Sequence, residues 1–595
     1  MSRIAELERA LADQPAARGV LAVETDRGAR TYLLGPRSAA DAVPPLLDWR
    51  TAPLAEAFFR AAPGEPYSFE AAGRTIEGVV RERWVVIGHG RIDALVGDTS
   101  RIERDGSARP RPRPAPLAGP PSDRAALPVL DREQQAAVDL PAASSLVVDG
   151  EAGVGKTLVA LHRVAALAAR ARAKGRRFRA LVLVPTEGLR RLCALIAERL
   201  AIPRLELAVV DDWLVARARA AFPGLPARQA EGASAQVIAL KRHPAVRAVL
   251  DDFRGWKPPR DDERLPRSRA RLLHLWGDRD RLDRVVAAAG GALPPRAIAQ
   301  TIAHTRVQFE ITTERAHRHV DADRLVALDG RALDAGTPTE DAHTFDAEDV
   351  PVLFELVRRG ALPAAELPVY DHVVLDEAQL RAPMELAAIG DALAPGGSIT
   401  LAGDHRQASD DTAYFAGWEA ARRELGRRTW AQVTLAVTYR SVPAIAAFAR
   451  APHVPPEPPP DPAVWATACA DGFAQAAELC WQLAALAARD PWRQIAVIAR
   501  TTEHARRLHA ELARGLDPVL VEHGDFRFEP GVIVTTAAAV AGLEFDAIVI
   551  PDLAPAFWPA SPELARAFYV AVTRARDWLW LVTPGAWSPL VERTC

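Results

Sequence analysis

Gly150-Glu151-Ala152-Gly153-Val154-Gly155-Lys156-Thr157 fits the pattern G-x-x-x-x-G-K-[ST]. The chain enters it from an apolar run, SLVVDG (145–150), and leaves it into LVALHRVAALAA (158–169), whose apolar residues recur at helical spacing. Strand, glycine-rich loop and helix in that order build a phosphate cradle. Gly150, Gly153 and Gly155 let backbone N–H groups converge on an anion at a helix start, where unpaired donors and the helix dipole already favour negative charge. Lys156 meets the β- and γ-phosphate charge, and the Thr157 hydroxyl joins the shell of a Mg²⁺ ion.

Outward from this loop, short apolar runs alternate with helical stretches. Runs at 145–149, 180–185, 372–376 and 399–403 read as one set of strands, and those at 494–498, 531–535, 547–551 and 578–582 as a second. Buried runs of this length separated by helices indicate an α/β fold with two parallel sheets covered on both faces. Between the early and late strands of the first set lies an Arg-rich, mainly helical insertion, 213–366. Ahead of the first set, residues 1–104 form a small α+β module: a short helical pattern (Ile4, Leu7, Leu11), then strands near 31–34, 76–80 and 84–87. A Pro/Arg-rich stretch, 105–127, reads as a stiff linker whose Arg109, Arg111 and Arg113 are solvated, and 452–462 is a second proline-rich break.

The run Tyr370-Asp371-His372-Val373-Val374-Leu375-Asp376-Glu377-Ala378-Gln379 ends a strand in two adjacent carboxylates. Both then stand at the C-terminal edge of the sheet, where ligands of open α/β sheets bind. Asp376 suits Mg²⁺, and Glu377 can polarise an attacking water.

Bulk properties set limits without naming a partner. Of 595 residues, 49% are hydrophobic and 25% charged, as in ordinary globular chains. The start, MSRIAELERA, has no secretory pattern, and no apolar run is long enough to span a bilayer, so a cytoplasmic address without membrane contact is expected. Cys193, Cys469, Cys480 and Cys595 are scattered and offer neither a disulfide framework nor a C-x-x-C metal site. A net charge of −2 gives no global signature of nucleic-acid binding, though one basic face would suffice. In the insertion, Arg254, Trp256, Lys257, Arg260, Arg267, Arg269, Arg271 and Trp276 read either as phosphate contacts with stacking platforms or as an amphipathic arm with its tryptophans packed inward. The acids interspersed there favour the packed arm. Trp578 and Trp580 alternate along a strand and read as core.

D-E-A-Q after an apolar strand resembles the UvrD/Rep helicases of superfamily 1, and further elements follow in that family's order. Leu130-Asp131-Arg132-Glu133-Gln134 resembles the Q-motif, which implies Gln134 at the adenine edge of ATP. Gly403-Asp404-His405-Arg406-Gln407 resembles G-D-x-x-Q, implying Gln407 at the γ-phosphate. Thr438-Tyr439-Arg440-Ser441 resembles N-Y-R-S, implying Tyr439 on the adenine face and Arg440 at the γ-phosphate. Gly542-Leu543-Glu544-Phe545-Asp546 is similar to G-L-E-F-D, with Glu544 toward the ribose, and Tyr569 to Ala575 to Y-V-A-x-T-R-A, whose arginine is Arg574. The resemblance implies two RecA-like P-loop NTPase lobes, 128–212 with 367–430 and 431–595. It implies an ATP-hydrolysing DNA helicase or translocase with 3′-to-5′ polarity, working as a monomer. Arg440 and Arg574 would then bring positive charge to the γ-phosphate from the second lobe.

The N-terminal module carries a narrower resemblance. Leu47-Asp48-Trp49-Arg50-Thr51-Ala52-Pro53 followed by Phe58-Phe59-Arg60-Ala61 resembles a segment of HelD-like ATPases, which bind RNA polymerase and release it from nucleic acid. The 102 residues from Arg440 to Gly542 are too few for the large 2B domain of UvrD, as in that branch. The helical start, about 18 Å over a dozen residues, falls short of its polymerase-probing coiled coil. Ala541 stands where motif V usually has lysine. The alternative function is therefore an ATPase that remodels or recycles RNA polymerase without unwinding duplex, and a third is a regulatory ATPase that no longer engages a track.

Overall fold

The structure is a computed structural model. It describes residues 3–593 apart from 12–13, 15, 72, 89–90, 112–129, 152, 203, 329, 406–409, 428, 436–441, 456–462 and 523. Two units divide the chain, Leu127–Tyr439 and a discontinuous one of Met1–Ala126 with Arg440–Cys595. No helix among the described residues is long and apolar enough to cross a membrane.

Leu127–Tyr439 is built on a six-stranded, all-parallel sheet. Its strands run, in spatial order, Leu205–Val209, Ala180–Val184, Tyr370–Leu375, Leu393–Gly403, Ser145–Gly150 and Trp430–Leu435. The central strands are apolar at nearly every position because helices cover both faces, so neither side chain of an alternating pair meets water. The expected boundary at 430/431 is corrected here. Trp430–Leu435 pairs along its length with Ser145–Gly150 and so completes the first sheet. It is a half-exposed edge strand with polar Gln432 and Thr434, and it lacks the unbroken apolar run of its neighbours.

The insertion is mainly helical, as expected, but its first boundary falls inside helix Val210–Ala221. Its helices Ala235–Arg242, Arg267–Trp276, Arg296–Gln308 and Asp349–Arg358 meet around a fully buried cation. Lys241 donates to Asp346 and, at 2.8 Å, to Asp349, while the Trp276 indole donates to the same Asp349 oxygen at 2.8 Å. A charge buried this deeply persists because two carboxylates, Asp346 and Asp349, offset it at hydrogen-bond distance. The packed-arm reading holds for the inner residues. Trp276 is buried, Arg269 lies 3.8 Å over the Phe309 ring, Arg271 lies 5.6 Å over Trp256, and His274 pairs with Asp262 at 2.8 Å. Arg254, Lys257, Arg260 and Arg267 stay exposed.

The discontinuous unit holds the second all-parallel sheet. Its order is Val464–Ala468, Ala575–Thr583, Phe545–Ile550, Gln494–Ala499, Gly531–Thr536 and Val519–Leu520. Trp578 and Trp580 share one face of their strand and are both buried, with ring centroids 5.5 Å apart. The N-terminal segment adds an eight-stranded, largely antiparallel sheet. The two strands expected near 76–80 and 84–87 are one, Arg74–Ile87, in which Arg81 is bulged and Glu82 and Arg83 resume the pairing with Ala22 and Leu21.

These two halves of the unit share one apolar core. Trp49, Phe58 and Phe59 pack with Phe473 and Trp481 of helix Gly472–Arg489, which is buried on nearly every side. The expected linker is corrected at its start. Ala108–Pro110 pairs with Ser100–Ile102 as an edge strand, where proline is tolerated. The Arg111 guanidinium, read as solvated, donates to the Gly97 carbonyl at 2.7 Å and to Glu478 of that buried helix. Residues 112–127 of the linker, Arg113 included, lie outside the described residues.

Candidate nucleotide-binding site

Strand Ser145–Gly150 delivers the chain to the sheet's C-terminal edge, and the loop after it turns into helix Lys156–Ala173. Gly153 and Gly155 take φ of 80° and 85°, the left-handed region that side chains disfavour. At Gly155 a Cβ would also meet the Gln134 amide at 2.9 Å. No side chain caps the helix, so its first N–H groups remain available to an anion. Lys156 is nearly buried, and its ammonium donates to the Gly150 and Glu151 carbonyls at 2.9 Å each.

Leu393–Gly403 lies between the P-loop strand and Tyr370–Leu375, so the two carboxylates face the loop across one intervening strand. The Thr157 hydroxyl donates to Asp376 Oδ2 at 2.5 Å. Burial, and then the neighbouring Glu377 charge, push the Asp376 carboxyl up to about 6. A buried acid raised by another acid is relieved by a dication between them. With uncapped helix donors, a glycine loop, and the Thr157 and Asp376 oxygens together, the residues fit Mg²⁺ and a triphosphate.

Glu377 has φ of 50°, and Gln379 Nε2 donates to its Oε2 at 2.6 Å. Gln379 in turn accepts from the Asp404 N–H at 3.3 Å, which pins it over Gly403. A Cβ at Gly403 would stand 2.2 Å from the Gln379 oxygen, which is why that motif opens with glycine. On the same edge His405 pairs with Asp149 at 3.3 Å. Sequence reasoning assigned no role to Gln379, Asp149 or His405; the first and last stood inside quoted motifs, whereas Asp149 carried no signal.

Gln134, expected at an adenine edge, uses both ends of its amide on the protein backbone. Its oxygen accepts from the Asp131 N–H at 3.1 Å and its nitrogen donates to the Val154 carbonyl at 2.9 Å. The side chain thus closes a capping box on helix Arg132–Asp139 and anchors the P-loop. Arg163, which sequence reasoning also passed over, secures the far end of that helix. It is fully buried and donates to the carbonyls of Leu140, Pro141 and Ser144 at 3.1, 3.0 and 2.8 Å, and burial pulls its guanidinium down to about 10. Arg163→Ala should therefore destabilise this unit by about 3 kcal/mol, since three acceptors lose their donor in a dry site. Urea unfolding checks it, and a loss below about 1 kcal/mol would contradict the role.

In the discontinuous unit, two further predicted residues come together. Arg574 is buried at the end of helix Pro562–Val572. It donates to the Val570 and Leu543 carbonyls at 3.0 and 3.4 Å and to the Thr573 hydroxyl at 3.0 Å. It thereby ties its own segment to the loop that carries half-buried Glu544. Asp546, in strand Phe545–Ile550 just after that loop, is fully buried beside Arg493 and Arg576, at 3.8 and 3.5 Å, and accepts from the Gln494 N–H at 2.9 Å, a structural part. Residues 531–582, which span these elements, match the family model of the UvrD-like helicase C-terminal domain. That segment is similar to the C-terminal domain of UvrD-like helicases.

Among solved structures, the C-terminal domain of a possible DNA helicase from Lactobacillus plantarum WCFS1 aligns at 27% identity. That alignment covers 26% of this chain and 92% of that one, with a TM-score of 0.22. No curated protein matches the chain. Gln407, Tyr439 and Arg440 lie outside the described residues. Lys156, Thr157, Asp376 and Glu377 gather in one unit, and Glu544 and Arg574 in the other.

Proposed function

We propose that this chain is an ATP-hydrolysing superfamily 1 motor of UvrD type that acts on DNA, with two RecA-like lobes. The observation that carries the reading is the Thr157–Asp376 contact at 2.5 Å, beside a glycine loop and a second carboxylate held in place by Gln379. The helicase-like segment 531–582 supports it. In this reading Thr157 and Asp376 hold Mg²⁺, which supplies neutralising charge to the phosphates. Lys156 leaves the loop carbonyls for the β- and γ-phosphate oxygens. Glu377 accepts the proton of the attacking water as the new O–P bond forms and the bond to the β,γ-bridging oxygen breaks, releasing ADP and phosphate. Arg440 and Arg574 add positive charge from the second lobe, and Gln407, Tyr439 and Glu544 complete the nucleotide contacts. The 3′-to-5′ polarity rests on resemblance.

The deciding experiment is steady-state ATP hydrolysis with and without single-stranded DNA, across a salt series. Strong stimulation that fades with salt is the expected result and holds despite Ala541. Hydrolysis indifferent to DNA would refute the DNA-motor reading and favour a HelD-like remodeller, with RNA polymerase as the first partner to test.

A further inference from the structure

The edge of the first sheet remote from Lys156 and Asp376 carries a concentration of positive charge that the nucleotide site does not use. Between Glu151 and Glu187 the chain has no acidic residue at all. Its cations crowd where helix Lys156–Ala173 hands over to strand Ala180–Val184: Arg172, Lys174, Arg176, Arg177 and Arg179 are all exposed. Ala180 pairs in register with Leu205 of the next strand, so Arg204, also exposed, stands beside Arg179 at a strand spacing of about 4.8 Å. On the other side His372 pairs with Ala180, which sets Asp371 next to Arg179. That acid accepts from the Arg179 backbone N–H at 2.8 Å, and the Arg179 guanidinium lies 5.2 Å over the Tyr370 ring. Arg172, Lys174, Arg176, Arg177 and Arg204 form no ion pair with a described residue.

Complementing a helix C-terminus takes one or two cations in the last turn. Five within eight residues repel one another, and they are also held in place. The N–H groups of Lys174, Gly175 and Arg176 bond back to the carbonyls of Ala171 and Arg172, with Gly175 at φ of 65°. A fixed array whose one adjoining acid, Asp371, is already bonded to the Arg179 N–H is what an incoming polyanion meets without paying for loop ordering. No exposed aromatic residue accompanies it, since Phe178 is half-buried and Tyr370 buried. Single strands are gripped by stacking as well as charge, whereas a duplex presents phosphates alone, one charge per about 1.7 Å of axis.

We infer that this edge, formed by Arg172, Lys174, Arg176, Arg177, Arg179 and Arg204, is a second nucleic-acid contact that binds the phosphate backbone of duplex, sequence-independently. About 16 Å of strand separates it from the P-loop edge, so duplex and ATP are held at once. It tethers the motor near double-stranded regions and rests on the DNA-motor reading for its purpose.

The test is equilibrium binding of a fluorescent 20-base-pair duplex to the full chain, without nucleotide, by anisotropy between about 50 and 200 mM KCl. The variant combines Lys174→Ala, Arg176→Ala and Arg177→Ala, all exposed and outside the ATP site. Its affinity should fall roughly tenfold or more at 100 mM salt, and the slope of log K against log salt should shrink by about 2.7. Maximal ATP turnover stimulated by single-stranded DNA, measured on the same variant, should stay at the wild-type value. That readout belongs to the motor reading and separates its failure from failure of the patch. Unchanged duplex affinity and slope would overturn the inference. So would a variant that keeps duplex binding but loses wild-type binding to polyglutamate, because the edge would then serve an acidic protein.

Discussion

Lys156→Ala should lower steady-state ATP hydrolysis by a factor of about 10³ or more, the scale on which charged groups stabilise phosphoryl transfer. Lys156 is one of only four lysines in a chain with 74 basic residues. Lys241 is sealed between carboxylates in the insertion, and Lys174 and Lys257 are exposed, so none of the others substitutes for it. Its ammonium satisfies the Gly150 and Glu151 carbonyls at 2.9 Å, contacts that in the proposed reading exchange for phosphate oxygens. Lys156→Arg should be nearly as damaging, because a planar fork cannot occupy the space of a compact point charge. Phosphate-release kinetics read the effect. A folded alanine variant with wild-type turnover would remove the basis for the site.

Glu377→Gln should cut turnover by about 10²- to 10⁴-fold while leaving ATP affinity within a few-fold of wild type, as expected when a general base is lost but its shape is kept. Gln379 fixes that carboxylate and is itself braced by the Asp404 N–H, so the isosteric amide keeps its neighbours. Comparing single-turnover hydrolysis with fluorescent-nucleotide binding separates the two quantities. A variant that loses binding and chemistry in proportion would place Glu377 in the phosphate cradle and not at the water.

The strands around the site were legible because a parallel sheet buried on both faces leaves long apolar runs, as at 145–149, 180–185 and 372–376. Edge strands were not. Leu205–Val209 and Trp430–Leu435 end the sheet, paired on one side only, keep polar residues, and lose the signal that marks their neighbours. Lys156, Thr157, Asp376 and Glu377 were expected together because phosphate chemistry fixes both residue type and spacing, and one unit holds all four. Arg163, Gln379 and Asp149 act through contacts 22 or more residues away in the chain, to the Pro141 carbonyl, the Asp404 N–H and His405 respectively. Nothing local in the sequence announces such partners. The same applies to the docking of Trp49, Phe58 and Phe59 on Phe473 and Trp481, more than four hundred residues on.

That docking bears on how the protein is made. A ribosome finishes the N-terminal sheet early, yet the helix that covers its aromatic residues emerges only after the roughly 310 residues of Leu127–Tyr439. At about 5–20 residues per second, synthesis of those residues alone takes some 15–60 s. During that interval Trp49, Phe58 and Phe59 face solvent or a chaperone, while the unit Leu127–Tyr439, being continuous in sequence, is free to fold first. Nascent chains stalled before Gly472 should therefore present a folded Leu127–Tyr439 unit preceded by a sticky, unfinished one, until helix Gly472–Arg489 docks on the N-terminal sheet.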